Sequence, residues 1–213
     1  HNIFKKGQAV VVKPRSEGSS VGVAIAKDTS ALLDAVCRAV KYGPDILIEK
    51  YIPGREFTVG ILGDRALPVI ELRPYKDFFS YKAKYQSDKT QYIVKPRIPR
   101  KLTERLQRVG LKAHRALRCE VFSRVDLIYD PARDKVYALE VNSIPGMTER
   151  SLVPKAASAI GIDFPQLCQE IRVELVLGLL NSEQRMGLRV MQQYQVGEHF
   201  DRAVRHVARD EVI

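Results

Sequence analysis

The sequence is poor in cysteine, histidine and tryptophan, and these shortages exclude several kinds of site. Its 213 residues include no tryptophan, four histidines without a paired ligand spacing, and three scattered cysteines: Cys37, Cys119 and Cys168. An odd number of cysteines with no CxxC pair argues against a disulfide framework and against a zinc knuckle. We interpret the cysteines as reduced thiols, which favours a cytoplasmic protein.

Long apolar runs are also missing. No stretch approaches the roughly 20 apolar residues that a membrane span needs. The first residues, HNIFKKGQ, lack the apolar core of a secretory signal. We therefore expect no membrane partner.

Positive charge predominates, but it is not concentrated in one segment. The chain has 35 Lys and Arg against 25 Asp and Glu, a net charge of +10, which favours anionic partners. The basic residues form no long run, and no aromatic residues interleave with them. This distribution argues against a nucleic-acid partner, while acidic lipid and phosphorylated small molecules stay open as anionic partners.

The apolar residues, 45% of the chain, are enough to form a core. Their spacing predicts strands over 9–13, 21–26, 45–52, 56–63, 66–72, 121–130 and 135–142, and helices over 29–42, 102–118 and 166–180. Pro53 and Gly54 predict a turn that makes a hairpin of the third and fourth strands. The mixture of helices and hairpins indicates the α+β class rather than a regular βαβ repeat.

Four polar residues alternate along the last two predicted strands. Arg124 and Asp126 face one side of the first strand, and Glu140 and Asn142 repeat this spacing on the second. Carboxylate and amide oxygens suit Mg²⁺ bridged by phosphates, and an arginine can neutralise an anion. A solvated sheet face is the alternative. It is disfavoured because apolar residues can occupy the opposite face: Val125, Leu127, Leu139 and Val141.

A second candidate site is the strand end at Lys13 with the loop that follows it. Gly18 and Gly22 allow backbone amides to approach an anion, and Ser19 and Ser20 add hydroxyl donors. The loop matches neither a P-loop nor a dinucleotide-binding fingerprint. A plain hairpin turn with a solvated lysine is the alternative.

Two further segments carry charged residues: a strand end and a long loop. Glu49 and Lys50 close a predicted strand, and Glu56 follows one short turn later. These side chains could take an adenine amino group and ribose hydroxyls, or they could form an ordinary charged strand end. The loop 74–90 is longer than ordinary connections. Its Lys84 and Tyr85 could close over phosphates or belong to a mobile basic loop.

Five segments resemble, in order and spacing, those of the D-alanine–D-alanine ligase family of ATP-grasp enzymes: VVVKPRSEGSSVGV, ILIEKYIPGREFTVGIL, PVIELRPYKDFFSYKAKYQSDKTQY, FSRVDLIYD and LEVNSIPGMTERSLVPKAA. The resemblance covers about residues 8–180. It implies an ATP-grasp fold with two lobes of antiparallel sheet, helices packed on them and ATP between them. Residues 1–49 would be part of the central lobe, and residues 50–181 the C-terminal lobe with the metal and substrate site. Residues 182–213 would be a helical C-terminal extension or a solvated tail.

The resemblance also implies residue roles around the nucleotide. Lys13 and Lys84 would contact the phosphates of ATP, the strand end at 49–52 would contact its adenine, and Glu56 would contact its ribose. These ATP-binding residues are Lys13, Glu49, Lys50, Ile52, Glu56 and Lys84. Two Mg²⁺ or Mn²⁺ ions would be held by three residues: Asp126, Glu140 and Asn142.

Further roles are implied at the substrates. Four residues would take part in catalysis: Ser19, Tyr85, Arg124 and Gly146. The arginine and the glycine amide would stabilise an oxyanion, and the serine and tyrosine would belong to a hydrogen-bonded triad. Ser151 and Leu152 would bind the carboxylate of the second alanine. A tyrosine in this family implies an amine acceptor and thus a dipeptide product.

The implied reaction joins two D-alanines, with ATP, for peptidoglycan precursor synthesis. One carboxylate attacks the γ-phosphate, and the amine of the second D-alanine attacks the resulting acyl phosphate. The resemblance further implies that an N-terminal lobe and the first part of the central lobe are missing, and it allows a homodimer. The chain could therefore be an ATP- and Mg²⁺-binding module without turnover of its own, or a ligase of another carboxylate and amine acceptor.

Overall fold

The computed structural model describes residues 8–18, 20–73 and 90–179. The predicted roles of Ser19, Lys84 and Tyr85, and the predicted extension 182–213, lie outside these residues. Within the described part of the chain, no helix is both long and apolar enough to span a bilayer.

The first sheet, as far as the described residues show it, has three antiparallel strands. They are β1 (Val10–Pro14), β2 (Ala24–Ala26) and β3 (Ile46–Lys50), in the order β2-β1-β3. Helix α1 (Thr29–Ala39) packs on this sheet and buries small and β-branched side chains: Val10, Val12, Ala26, Ala35 and Ala39. Asp28 caps the helix, because its carboxylate accepts the amide N–H of Ala31 at 2.8 Å. A 3₁₀ turn, Val40–Tyr42, ends the helical segment.

The second sheet, counted over the same described ranges, has six antiparallel strands. They are β4 (Arg55–Leu62), β5 (Arg65–Ala66), β6 (Ile70–Arg73), β7 (Gln91–Val94), β8 (Phe122–Asp130) and β9 (Lys135–Asn142). The main order is β7-β6-β4-β8-β9, and β5 pairs with β4. In the described ranges, three helices accompany this sheet: α2 (Arg100–Ala116) between β7 and β8, and α3 (Leu152–Ser158) and α4 (Phe164–Leu179) after β9. Antiparallel sheets with packed helices confirm the α+β prediction.

The second sheet is buried on both faces along β4. On one face, Val59 and its neighbours pack against α2 around Leu106. On the other face, Leu62 packs against α3 and α4 around Val153 and Leu167. Each fully buried side chain of this kind contributes roughly 1.5–3 kcal/mol, so the helices stabilise the sheet strongly. By strand alternation, this second face continues along β4 and β8 as a strip of polar side chains.

The predicted hairpin of the third and fourth strands is wrong. β3 pairs with β1 in the first sheet, whereas β4 pairs with β6 and β8 in the second. Pro53 and Gly54 therefore connect the two sheets instead of reversing the chain. The reason is burial: β4 is buried from Phe57 to Leu62, so its side chains need a packing layer on each face. The predicted strand 66–72 is also divided, at a segment that contains Pro68.

Candidate functional site

Four of the predicted polar residues lie together on one face of β8 and β9. The Arg124 guanidinium donates to both carboxylate oxygens of Asp126, with Nε–Oδ1 and Nη2–Oδ2 distances of 3.0 Å. The Asn142 amide donates to Asp126 Oδ2 at 3.3 Å and lies 3.5 Å from Glu140 Oε1. The structure thus brings these side chains together, while the roles assigned to them stay predictions.

The strand register sets this arrangement. Arg124 lies opposite Asn142, and Asp126 lies opposite Glu140, in the antiparallel pair of β8 and β9. Side chains at directly opposed positions are about 4.5–5.5 Å apart, and like charges there destabilise a sheet. The Arg124 guanidinium offsets part of the repulsion between the two carboxylates. A bound cation would offset more of it.

A β-bulge at Leu139 corrects one expectation about β9. The pairing with β8 passes from Glu140 directly to Ala138, so Leu139 has no opposed residue. Its side chain is 39% exposed, rather than buried behind the polar face as predicted. Because of the bulge, Val136 and Val141 both pack on the α2 side of the sheet, although regular alternation would place them on opposite faces.

β4 contributes two residues to the polar face, and the sequence patterns indicated only one of them. Thr58 is buried, and its hydroxyl donates to Asp126 Oδ1 at 2.6 Å. Glu56, which was predicted, lies two residues earlier on the same side of β4 and is half-buried. The register places Thr58 opposite Asp126 and Glu56 opposite Ile128. Thr58 could be found only by placing β4 beside β8, because a threonine in an apolar strand is ordinary.

The donor set of this cluster fits a metal ion that is shared with phosphates. Asp126 and Glu140 supply carboxylates, and Asn142 supplies an amide. In the described residues, no group of three or more His, Cys, Asp or Glu is placed to hold a metal. A closed cage made by the protein alone is therefore not built here. Mg²⁺ is commonly bound by one or two carboxylates, with phosphate oxygens and water completing its shell, and this cluster matches that pattern.

Another buried carboxylate, Glu71, lies on the opposite face of the second sheet. It is opposite Phe57 in the register, and it accepts hydrogen bonds from Arg55 Nε at 2.8 Å and Arg73 Nη2 at 2.9 Å. Burial opposes ionisation of Glu71, but the hydrogen bonds from Arg55 and Arg73 outweigh burial and lower its pKa. Glu71 therefore ties β6 to the start of β4 and does not belong to the polar cluster.

On the first sheet, the structure joins two residues that were predicted from separate motifs. Lys13 Nζ and Glu49 Oε2 are 2.6 Å apart, and their side chains are 27% and 47% exposed. Lys50 follows on the opposite face of β3, and Ile52 lies in the connection beyond it. Accessible ion pairs are worth about 0–1 kcal/mol, so a phosphate could replace the Glu49 carboxylate at Lys13 at little cost.

A third group lies where the chain enters α3. The Thr148 N–H donates to Ser151 Oγ at 3.1 Å, and the two hydroxyl oxygens are 3.0 Å apart. A Cβ at Gly146 would lie 3.2 Å from Ser151 Oγ, so glycine permits this close approach. Leu152 begins α3 and packs against the core between α3 and α4. Thr148, to which the sequence patterns gave no role, fixes the Ser151 hydroxyl.

The sequence matches a known family over most of its length. The family model described as "D-ala D-ala ligase C-terminus" matches residues 3–172. A D-alanine–D-alanine ligase of Clostridium botulinum is 44% identical over 170 residues, which are 79% of this chain and 56% of that protein. The chain therefore spans about half the length of the curated relatives it matches.

The fold of the chain also resembles those of solved ligase structures. The D-alanine–D-alanine ligase from Bacillus anthracis complexed with ATP is 35% identical, with a TM-score of 0.66, over 78% of this chain and 52% of that chain. The VanG D-Ala:D-Ser ligase from Enterococcus faecalis is 29% identical, with a TM-score of 0.70, over 80% of this chain and 49% of that chain.

Proposed function

This chain belongs to the D-alanine–D-alanine ligase C-terminal family and has its ATP-grasp fold, and from this premise we propose that it takes part in the ATP-dependent joining of two D-alanines. The product would serve peptidoglycan precursor synthesis in the cytoplasm. Since the chain spans about half the length of its relatives, we assign to it the metal site, the acceptor site and part of the ATP site. The remainder of the active site would correspond to the half of the relatives that this chain does not match.

ATP is the proposed nucleotide, and the accessible Lys13–Glu49 pair supports this assignment. Lys13 would exchange the Glu49 carboxylate for a phosphate, and the segment from Glu49 to Ile52 would receive the adenine. Glu56 would take the ribose hydroxyls, because it lies on the same face of the second sheet as the metal cluster. The similarity to the Bacillus anthracis ligase solved as a complex with ATP is further support.

The metal residues in this proposal are Asp126, Glu140 and Asn142. When bound there, Mg²⁺ or Mn²⁺ would neutralise phosphate charge and so reduce repulsion of the incoming carboxylate. Asp126 and Glu140 carry two negative charges at opposed positions, and Arg124 offsets only one of them. Of the molecules proposed to bind here, only the metal ion could offset the other.

The chain's own residues would act on the acyl group in the second half of the reaction. The first D-alanine carboxylate displaces ADP from the γ-phosphorus, which gives an acyl phosphate. The amine of the second D-alanine then attacks the carbonyl carbon, loses a proton and expels inorganic phosphate. Arg124 and the Gly146 amide would stabilise the negative charge that develops on the carbonyl oxygen. Ser151 and the start of α3 at Leu152 would hold the carboxylate of the second D-alanine.

The observation that carries this proposal is the convergence of Arg124, Asp126, Glu140 and Asn142 in a chain of this family. The test is release of phosphate from Mg·ATP that depends on D-alanine. It would be measured for the chain alone and for the chain mixed with the unmatched N-terminal part of the Clostridium botulinum relative. We expect release in the mixture, and loss of release with Glu140→Gln.

A matched control is Arg100→Ala, because the Arg100 side chain is 93% exposed on α2 and pairs along its own helix with Glu104. This variant should release phosphate as the unmodified chain does. ATP binding with no phosphate release under any complementation would reduce the chain to a nucleotide-binding module. Release that depends on D-serine more than on D-alanine would favour a second candidate, which the similarity to a D-Ala:D-Ser ligase supports.

A further inference from the structure

Thr58 makes the shortest hydrogen bond to the Asp126 carboxylate. It lies directly opposite Asp126 in the register of β4 and β8, and its side chain is 1% exposed. Its Oγ1 is 2.6 Å from Asp126 Oδ1 and 3.2 Å from the Val125 carbonyl oxygen. A hydroxyl has one proton, and the shorter contact to the charged acceptor takes it.

Within the described ranges, four hydrogen bonds reach Asp126 and divide between its two oxygens. Oδ1 accepts from Thr58 Oγ1 and from Arg124 Nε, whereas Oδ2 accepts from Arg124 Nη2 and from Asn142 Nδ2. The Arg124 side chain is 23% exposed and has several rotatable bonds. Thr58 is buried and β-branched, and a β-branched side chain is stiff at χ1. Thr58 is therefore the fixed partner of Oδ1, and the partners of Oδ2 can move away.

We propose that Thr58 is a positioning residue for the metal site: it holds Asp126 Oδ1 so that Oδ2 is presented toward Glu140 and Asn142. This inference rests on the proposed function, in which Asp126 is a metal ligand. A ligand carboxylate whose second oxygen is held by a hydrogen bond keeps its orientation when the metal arrives. Residues that act in this way typically affect metal affinity by about 10- to 100-fold when they are removed.

Packing alone does not require a threonine at this position. Valine has nearly the same shape, is at least as favourable in a strand, and brings no hydroxyl into the interior. Both faces of β4 are buried around position 58, so a hydroxyl there needs a specific acceptor. Asp126 is that acceptor.

The test compares Thr58→Val, which removes the hydroxyl, with Thr58→Ser, which retains it. The readout is Mn²⁺ binding in the presence of ATP, followed by the electron paramagnetic resonance signal of the free ion. We expect Thr58→Val to weaken Mn²⁺ binding by about 10-fold or more and Thr58→Ser to stay close to the unmodified chain. ATP affinity measured in EDTA should be the same in all three proteins.

A purely structural role would lower the melting temperature of Thr58→Val without changing Mn²⁺ affinity in the folded protein, and that result would overturn the inference. Equal loss in the serine and valine variants would also overturn it, since the hydroxyl would then be irrelevant. If Thr58→Val does not fold, Thr58→Ala removes the same hydroxyl without branching and must show the same loss. No Mn²⁺ binding by the unmodified chain with ATP would instead refute the proposed function.

Discussion

Gly54, in the connection between the two sheets, is the most tightly packed of the described glycines. A Cβ at this position would lie 2.3 Å from the backbone oxygen of Tyr129 and 2.7 Å from Ile128 Cγ2. Tyr129 is a residue of β8 that pairs with Arg55, the first residue of β4. The obstacle is therefore backbone held in a sheet, and it cannot rotate away as the end of a flexible side chain could. We predict that Gly54→Ala destabilises the protein and disturbs the connection.

The size of the effect follows from the geometry. Real Cβ contacts are not shorter than 3.0 Å, so the 2.3 Å approach requires a displacement of about 0.7 Å between the connection and β8. Overpacking of this kind costs about 1–3 kcal/mol. In a protein of this size, each kcal/mol lowers the melting temperature by about 2–4 °C, so we expect a fall of roughly 2–12 °C. The displacement lies between Ile52 and Glu56, which are the proposed adenine and ribose contacts. We therefore expect the affinity for ATP to fall as well.

The assay is thermal unfolding followed by circular dichroism, together with ATP affinity by isothermal titration calorimetry. Gly18→Ala is the control for unfolding, because a Cβ at Gly18 meets nothing within 4 Å. We expect the Gly18 variant to melt with the unmodified chain, and the Gly54 variant to melt lower and to bind ATP more weakly. Identical melting of the Gly54 variant would refute the packing argument. Lower melting with unchanged ATP affinity would refute the link between this connection and the nucleotide.

Three further predictions concern the second sheet and its helix α2. A hydrogen bond from Arg105, above all, lowers the pKa of Asp134 from its ordinary 3.8 to about 2. Stabilisation by this pair is therefore present above pH 3.8 and lost as the pH falls through about 2. The melting temperature of Asp134→Asn should thus lie below that of the unmodified chain at neutral pH, and the two melting temperatures should converge in acid. Leu106→Ala should lower the unfolding free energy in urea by about 2–5 kcal/mol, because Leu106 is fully buried, whereas Leu117→Ala should change it little, because Leu117 is 64% exposed. Deletion of Leu139 should preserve the melting temperature, since the residue has no opposed partner. It should weaken Mn²⁺ binding with ATP, because it removes a bulge directly beside Glu140 and bulges commonly set the direction of a neighbouring side chain; unchanged Mn²⁺ binding would contradict this role.

Local patterns in the sequence predicted the existence and type of most elements. The alternation of Arg124 and Asp126 with buried apolar residues identified β8 and the face that carries the polar cluster. The apolar spacing over 29–42 predicted α1, and the Asp28 carboxylate directly before it caps the helix, as this residue type commonly does. These signals depend only on residues a few positions apart, which is why they could be read without the fold.

The partners of β4 were not available from such signals. Pro53 and Gly54 favour a turn between any two neighbouring strands, and the local pattern therefore joined β3 to β4. In the structure, β4 is a central strand between β6 and β8. Its burial on both faces requires partners that lie far away in the chain, and the Gly54 contact with Tyr129 belongs to the same long-range packing.

Two features of the polar cluster that local patterns did not predict, Thr58 and the bulge at Leu139, depart from what packing alone would select. A strand chosen for its core alone would not bury a hydroxyl at position 58 and would not carry the unpaired Leu139. Both departures act on the same pair of opposed carboxylates: Thr58 holds Asp126 from the β4 side, and the bulge begins directly beside Glu140 on the β9 side. Opposed like charges cost stability, so a fold selected for stability alone would not place Asp126 opposite Glu140. Such departures are expected where a ligand, not the core, determines the residue type. Thr58 and Asp126 are 68 residues apart in the chain, so only the sheet shows that these departures meet at one place.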